Sequence, residues 1–148
     1  MRFYEDMAVG ETDEFGARTV SKEEILEFAE QFDPQPIHVD EAAAAESMFG
    51  GIIASGWHTA SLTMRLLVDN LINDMASMGA RGVDDLRWQL PVYPGDTLSV
   101  RTEVTEKRVS DSDPNRGYVN SEVETLNQND RVVMSLTSLA MVERRAEE

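Results

Sequence analysis

The spacing of apolar residues along the chain changes near residue 80. Before that point apolar positions recur every three to four residues, the period of a helix; from Arg81 onward they alternate with polar ones, the period of a strand. Ser21-Lys22-Glu23-Glu24 has the spacing of a capping box, in which Ser21 receives the third helical N–H and Glu24 reaches back. Ile25, Phe28, Ala29 and Phe32 then fall at i, i+3, i+4 and i+7 and predict one apolar stripe. That helix should stop at Phe32–Asp33, because the residue before Pro34 is pushed out of the helical region. Asp40 is placed to cap a second, short helix through Ala45–Glu46, which Phe49-Gly50-Gly51 terminates. The longest apolar segment runs from Gly56 to Asn73. It puts Trp57, Ala60, Met64, Leu67, Val68 and Leu71 on one face, widened by Leu62, Leu66 and Ile72, and leaves Arg65, Asp69, Asn70 and Asn73 for water. The prediction is a buried helix of about 18 residues and about 27 Å, long enough to be the axis of a small domain.

After residue 80, R-G-V-D-D-L-R-W-Q-L-P-V reads as a strand, followed by a turn at Tyr93-Pro94-Gly95-Asp96. Leu98, Val100, Thr102 and Val104 alternate with polar partners, as in a half-buried strand. Gly117 to Leu126 predicts another strand, and Arg131 to Val142 a last one that is apolar on both faces. Nearer the amino end, E-T-D-E-F-G-A-R-T-V suggests a strand after a turn at Gly10. Helices early, three long antiparallel strands late and one long apolar helix between them imply an α+β fold in which the sheet curls around that helix. At 148 residues, with no repeat, linker or low-complexity stretch, residues 1–148 are expected to form one domain.

Composition narrows the function classes. The 41% apolar content argues against disorder. No run approaches the roughly 18 apolar residues of a membrane helix, and the segment M-R-F-Y-E-D-M lacks the apolar core of a signal peptide, so a cytoplasmic protein without a membrane partner is expected. Cysteine is absent, which excludes disulfides, a thiol nucleophile and thiolate-bound metal. Thirteen basic residues against 28 acidic ones give a net charge of −15 with no basic stripe, which disfavours nucleic acid. An anionic ligand would then need a local cluster of Arg or Lys, for which Arg65, Arg81 and Arg87 are candidates.

Candidate chemistry concentrates between Phe32 and Ile72. Asp33 and His38 lie five residues apart with Pro34 and Pro36 between them, and both are expected on a stiff loop between two helices. The pair can hold a water and move protons to and from it, provided burial raises the carboxylate enough to act as a base. The bland alternative is a loop-stabilising Asp and a His filling a polar gap. Gly56 opens the long helix, whose unpaired N–H groups and partial positive charge suit a carbonyl oxygen gaining negative charge. His58 is expected in the first turn of that helix, lining the same cleft, although His38, Asp40 and His58 also form a weak metal pattern. Ser55 invites a hydrolase reading, but no G-x-S-x-G elbow surrounds it. Gly50-Gly51 belongs to no nucleotide-phosphate motif, and Trp88 with P-V-Y-P-G-D is read as structural.

The segment F-D-P-Q-P-I-H-V-D-E, followed eleven residues after His38 by F-G-G-I-I-A-S-G, resembles the MaoC-like dehydratase family, which includes the (R)-specific enoyl-CoA hydratases; P-V-Y-P-G-D resembles that family's later P-V-x-x-G-D signature. The resemblance implies a hot-dog fold, with a curved antiparallel sheet wrapped around the central helix, and a homodimer or larger assembly acting on an acyl-CoA without a cofactor or metal. It implies that Asp33 and His38 are the catalytic pair and that the Gly56 N–H receives the thioester oxygen; Gly51, Ser55, Trp57 and His58, close to that glycine along the chain, are expected to bind substrate. Two positions depart from the pattern: Gln35 replaces the usual Asn before Pro36, and Met64 stands eight residues past Gly56 where some hydratases carry Ser. A hot-dog thioesterase with Asp69 as its acid, and a non-catalytic acyl-CoA or acyl-carrier binding module, are the alternatives.

Overall fold

A computed structural model describes residues 1–146. The alternating segments form one antiparallel sheet of five strands, β1 (Thr12–Thr19), β2 (Ser77–Arg87), β3 (Thr97–Val109), β4 (Arg116–Leu126) and β5 (Val132–Glu143), in the order β1-β3-β4-β5-β2. The helical segments become α1 (Lys22–Phe32), α2 (Pro36–Val39), α3 (Glu41–Glu46) and α4 (Gly56–Asn70), with single 3₁₀ turns at Tyr4–Asp6 and Ile72–Asp74. Leu66 and Leu67 of α4 pack against Phe15 of β1, Val100 of β3, Val123 of β4 and Leu136 of β5. Four strands thus curve around one helix, the hot-dog fold. Among the described residues no helix is long and apolar enough to cross a membrane.

Local signals act as their chemistry requires. Ser21 and Glu24 close the capping box on α1, and Asp40 Oδ1 accepts the N–H groups of Ala42 and Ala43 at the start of α3. The stripe on α1 is narrower than its spacing predicts: Ile25 and Ala29 are fully buried, whereas Phe32, the last residue before the chain turns away, is 69% exposed.

Three expectations are corrected. His38 lies on the short helix α2 rather than on a stiff loop, because Pro36 occupies the first turn of that helix, where a missing N–H costs nothing. β2 starts and ends earlier than its pattern suggests. Its register to β5 shifts three times, Asp85 takes a φ of 54°, and the segment from Trp88 to Val92, which contains Pro91, leaves the sheet. Finally, α4 ends at Asn70 and is turned about its axis from the expected setting. His58, Thr59, Leu62, Thr63, Leu66 and Leu67 are buried, while Trp57 is 58% and Met64 53% exposed.

Two contacts set that rotation. At Gly16, whose φ is 91°, a Cβ would lie 2.9 Å from Leu66 Cδ2, so only glycine lets β1 approach the helix this closely. The buried Thr63 hydroxyl donates to the Thr59 carbonyl at 2.8 Å and stands 2.6 Å from Thr125 Oγ1 of β4. With its own hydrogen committed to Thr59, Thr63 accepts from Thr125. Thr63→Val should therefore strand the Thr125 hydroxyl in the core and cost about 1–3 kcal/mol. Thr125→Val leaves the Thr59 bond in place and should cost less, an order that urea denaturation of both variants checks.

Candidate active site

The site begins where α1 stops. Asp33 caps that helix, its N–H bonded to the Ala29 carbonyl at 2.8 Å, and Pro34 turns the chain so that Pro36–Val39 brings His38 back beside it. The floor comes from the segment before α4. Ala54 N–H donates to the Val92 carbonyl at 2.9 Å and the Tyr93 hydroxyl to the Phe49 carbonyl at 2.8 Å, so P-V-Y-P-G-D pins the stretch that carries Ser55 and Gly56. Gly95, with a φ of 92°, makes that turn possible, and its N–H bonds to Val20 at 2.7 Å.

His38 is buried, and its Nδ1 stands 2.7 Å from the Ile53 carbonyl. A carbonyl only accepts, so Nδ1 carries a hydrogen and Nε2 is the atom presented to Asp33 Oδ2, 3.3 Å away. The carboxylate is held on both sides: Gln35 Nε2 donates to Oδ1 at 2.7 Å and Ser55 Oγ to Oδ2 at 2.7 Å. Burial pushes the Asp33 pKa up, but the bonds from Ser55 and Gln35 and the charge of His38 outweigh it and leave the group below its ordinary value. The condition that burial raise this carboxylate is therefore not met. Asp33 binds protons more weakly when folded than when unfolded, so its contribution to stability is present above the unfolded pKa and is lost as pH falls through the folded one.

Asp33, His38, Gly56 and Trp57 line one cavity of about 480 Å³, whose other walls include Met48, Phe49, Trp88 and Leu90. The Gly56 N–H, at the first position of α4, has no intrahelical partner. Trp88, read from sequence as structural, closes the opposite side: its Nε1 donates to the Gly56 carbonyl at 2.9 Å and its ring meets Trp57 edge-on at 5.2 Å. A Cβ at Gly56 would collide with that indole. Glycine is thus required by packing here. Trp88 escapes sequence reasoning because it follows a strand and carries no motif; only the glycine beneath it marks the place.

The remaining expected site residues lie elsewhere. Ser55 is 0% exposed and absent from the cavity wall; its hydroxyl caps α4, accepting from Trp57 N–H at 3.3 Å, and donates to Asp33. Its hydroxyl is thus enclosed by protein and engaged on both sides. Gly51 lines a separate cavity with Lys22, Glu41 and Tyr93. His58 is buried under Phe28, its ring stacked at 4.8 Å and 8°, and its Nδ1 has no partner; burial holds its pKa below the ordinary value. Asp40 is used as a helix cap, so His38, Asp40 and His58 do not converge, and no group of three or more potential ligands suits a metal among the described residues. Asp69 pairs with Arg65 at 2.8 Å on the exposed side of α4 and is absent from the cavity wall.

Comparison with known proteins bears on the family and the fold. The family profile described as MaoC like domain matches residues 6–127. A crystal structure of a MaoC-like dehydratase from Rhodospirillum rubrum superposes with a TM-score of 0.90 at 43% identity, over 99% of this chain and 100% of that one. The unliganded R-hydratase PhaJ1 of Pseudomonas aeruginosa gives a TM-score of 0.76 at 25% identity, over 99% and 90%. A 3-hydroxybutyryl-CoA dehydratase of Methylorubrum extorquens is 36% identical over 70% of this chain, which spans 64% of that relative's length.

Ser55→Ala removes a hydrogen bond that lowers the Asp33 pKa, so that pKa should rise. The acid limb of the kcat/KM profile should move to higher pH, with Ser55→Thr restoring it. Identical limbs in wild type and Ser55→Ala would show that Asp33 ionisation does not govern turnover.

Proposed function

Because the chain belongs to the MaoC-like dehydratase family, we propose that it adds water to a trans-2-enoyl thioester to give the (R)-3-hydroxyacyl thioester, or runs the reverse dehydration. The observation that carries this reading is the meeting of the Asp33–His38 pair and the amino end of α4 in one largely apolar cavity. The thioester oxygen accepts from the Gly56 N–H, where the helix end stabilises the negative charge that develops as the β carbon is attacked. A water bound between Asp33 Oδ2 and His38 Nε2 supplies the hydroxyl. Asp33 orients the water, and His38 Nε2, whose lone pair is free because Nδ1 carries the ring hydrogen, takes one water proton as C3–O forms. It passes that proton to C2 on the same face, so the pair ends as it began. No cofactor or metal enters the scheme.

The substrate is an acyl-CoA of small or medium chain. Gln35, in the place of the family's Asn, keeps a donor on the carboxylate, as its bond to Oδ1 supports. Met64 occupies the position of the family's serine and faces outward, so that hydroxyl has no counterpart here. The exposed placement of Asp69 weighs against the thioesterase alternative.

The protein is proposed to act as a homodimer. Among the described residues β2 bonds only to β5, leaving its other edge open along eleven residues, and Met78, Val83, Trp57 and Met64 are exposed on β2 and α4. A long unpaired edge beside apolar side chains is the kind of surface a second copy covers.

Purified protein should abolish the conjugated enoyl absorbance of crotonyl-CoA or its longer homologues without releasing free thiol. Thiol release would indicate a thioesterase, and inertness toward the whole series a binding module. Asp33→Asn and His38→Ala should each lower turnover by roughly 10²-fold or more. Val83→Arg should convert a dimer to a monomer by light scattering; an unchanged mass would place the subunit contact elsewhere.

A further inference from the structure

The distribution of cations is uneven in a way the catalytic cavity does not use. Of the 13 basic residues, seven pair with carboxylates among the described residues. Lys107 binds the carbonyls of Tyr4 and Met7. Of the five that remain, three converge on one side chain: the guanidinium carbons of Arg81 and Arg108 each lie 4.4 Å from the ring centre of Tyr118, and that of Arg116 lies 5.7 Å away. Mutual repulsion opposes this grouping, and with 28 acidic residues in the chain, carboxylate partners are plentiful. Glu143 stands opposite Arg116 in the β4–β5 register, and Glu106 accepts from Asn120 at 3.3 Å, yet neither comes within ion-pair distance of the three guanidiniums.

The side chains project from the outer surface of the sheet. Gly117, Val119 and Val123 of β4 are buried toward the core, so Arg116 and Tyr118 face the other way, and Arg108 lies directly across from Tyr118 on β3. Each guanidinium lies near the Tyr118 ring and none is engaged by a carboxylate among the described residues, and a guanidinium fork left unpaired can grip two oxygens of a phosphate at once. Two polar atoms there are buried without a partner, Arg116 Nε and Asn120 Oδ1. The Tyr118 hydroxyl is held below the ordinary phenol range by a hydrogen bond with Ser110 and by Arg116 and Arg108.

We infer that Arg81, Arg108 and Arg116, gathered around Tyr118, form a phosphate-ester binding site on the outer face of the sheet, separate from the catalytic cavity. The ligand is a small molecule with a terminal phosphate. A nucleic acid or strongly acidic protein would meet the repulsion of the whole chain, whereas a compact dianion feels chiefly charges within a Debye length of about 8 Å. The phosphate comes either from the nucleotide end of a CoA thioester, which rests on the hydratase reading, or from a free nucleotide, which does not.

Calorimetric titration of the full chain with adenosine 3′,5′-bisphosphate tests the site without requiring turnover. Wild type should bind it, and Arg108→Gln/Arg116→Gln, with its fold verified by circular dichroism, should lose at least about tenfold in affinity. An Arg87→Gln/Arg131→Gln control should not. If the phosphate belongs to the substrate, the Arg108/Arg116 variant also raises KM for crotonyl-CoA severalfold while leaving KM for crotonyl-pantetheine unchanged; an unaffected KM together with lost binding assigns the site to a free nucleotide. Absence of wild-type binding at millimolar ligand, or equal affinity in wild type and the Arg108/Arg116 variant, overturns the inference.

Discussion

The hydrogen bond from Ser55 to Asp33 joins the two halves of this molecule that matter for chemistry. One end is the stop of α1, where a proline forces the chain to turn; the other is the start of α4, the axis around which the sheet curves. The serine serves both at once, capping the helix through its oxygen and holding the carboxylate through its hydrogen. A fully buried hydroxyl with both functions engaged has little freedom to relax, so the position of the carboxylate is tied to the position of the helix end. The imidazole is tied in parallel through the Ile53 carbonyl, two residues upstream of the same serine. The geometry thus depends on one short segment, Ile53 to Gly56, reached from both sides.

That coupling explains why an ionised acid can persist in a largely apolar recess. Burial opposes the charge, but two short donors and a neighbouring imidazole more than offset it. The ordering of effects decides the charge: the carboxylate stays ionised although burial alone would favour its protonated form. Elsewhere the acidic chain neutralises most of its own cations locally, which makes the arginines around Tyr118 conspicuous.

Much of this was legible from residue order. The capping box at Ser21, the stop before Pro34, the cap at Asp40 and the start of the long helix at Gly56 are local signals, settled by a few neighbouring atoms. The Asp33–His38 pairing was legible because two prolines leave the segment few ways to run. What sequence could not supply was rotation. A helix apolar on most sides gives no preferred face, and the choice between a Met64 face and a Thr63 face rests on Thr125 and Gly16, 62 residues downstream and 47 residues upstream of Thr63. Ser55, Gly51 and His58 were grouped with the substrate by proximity along the chain. The fold instead sends one inward to Asp33, one to a separate cavity and one beneath Phe28.

The packing of Trp57 against Trp88 has a consequence of a different kind. These are the chain's two tryptophans, and both stand in the wall of the same recess, one above the glycine that opens the helix. Practically all of the protein's indole emission therefore originates within a few ångströms of the reacting groups, undiluted by signal from the sheet. The molecule carries its own optical reporter, and whatever enters that recess announces itself as a change in colour or brightness without any label being attached.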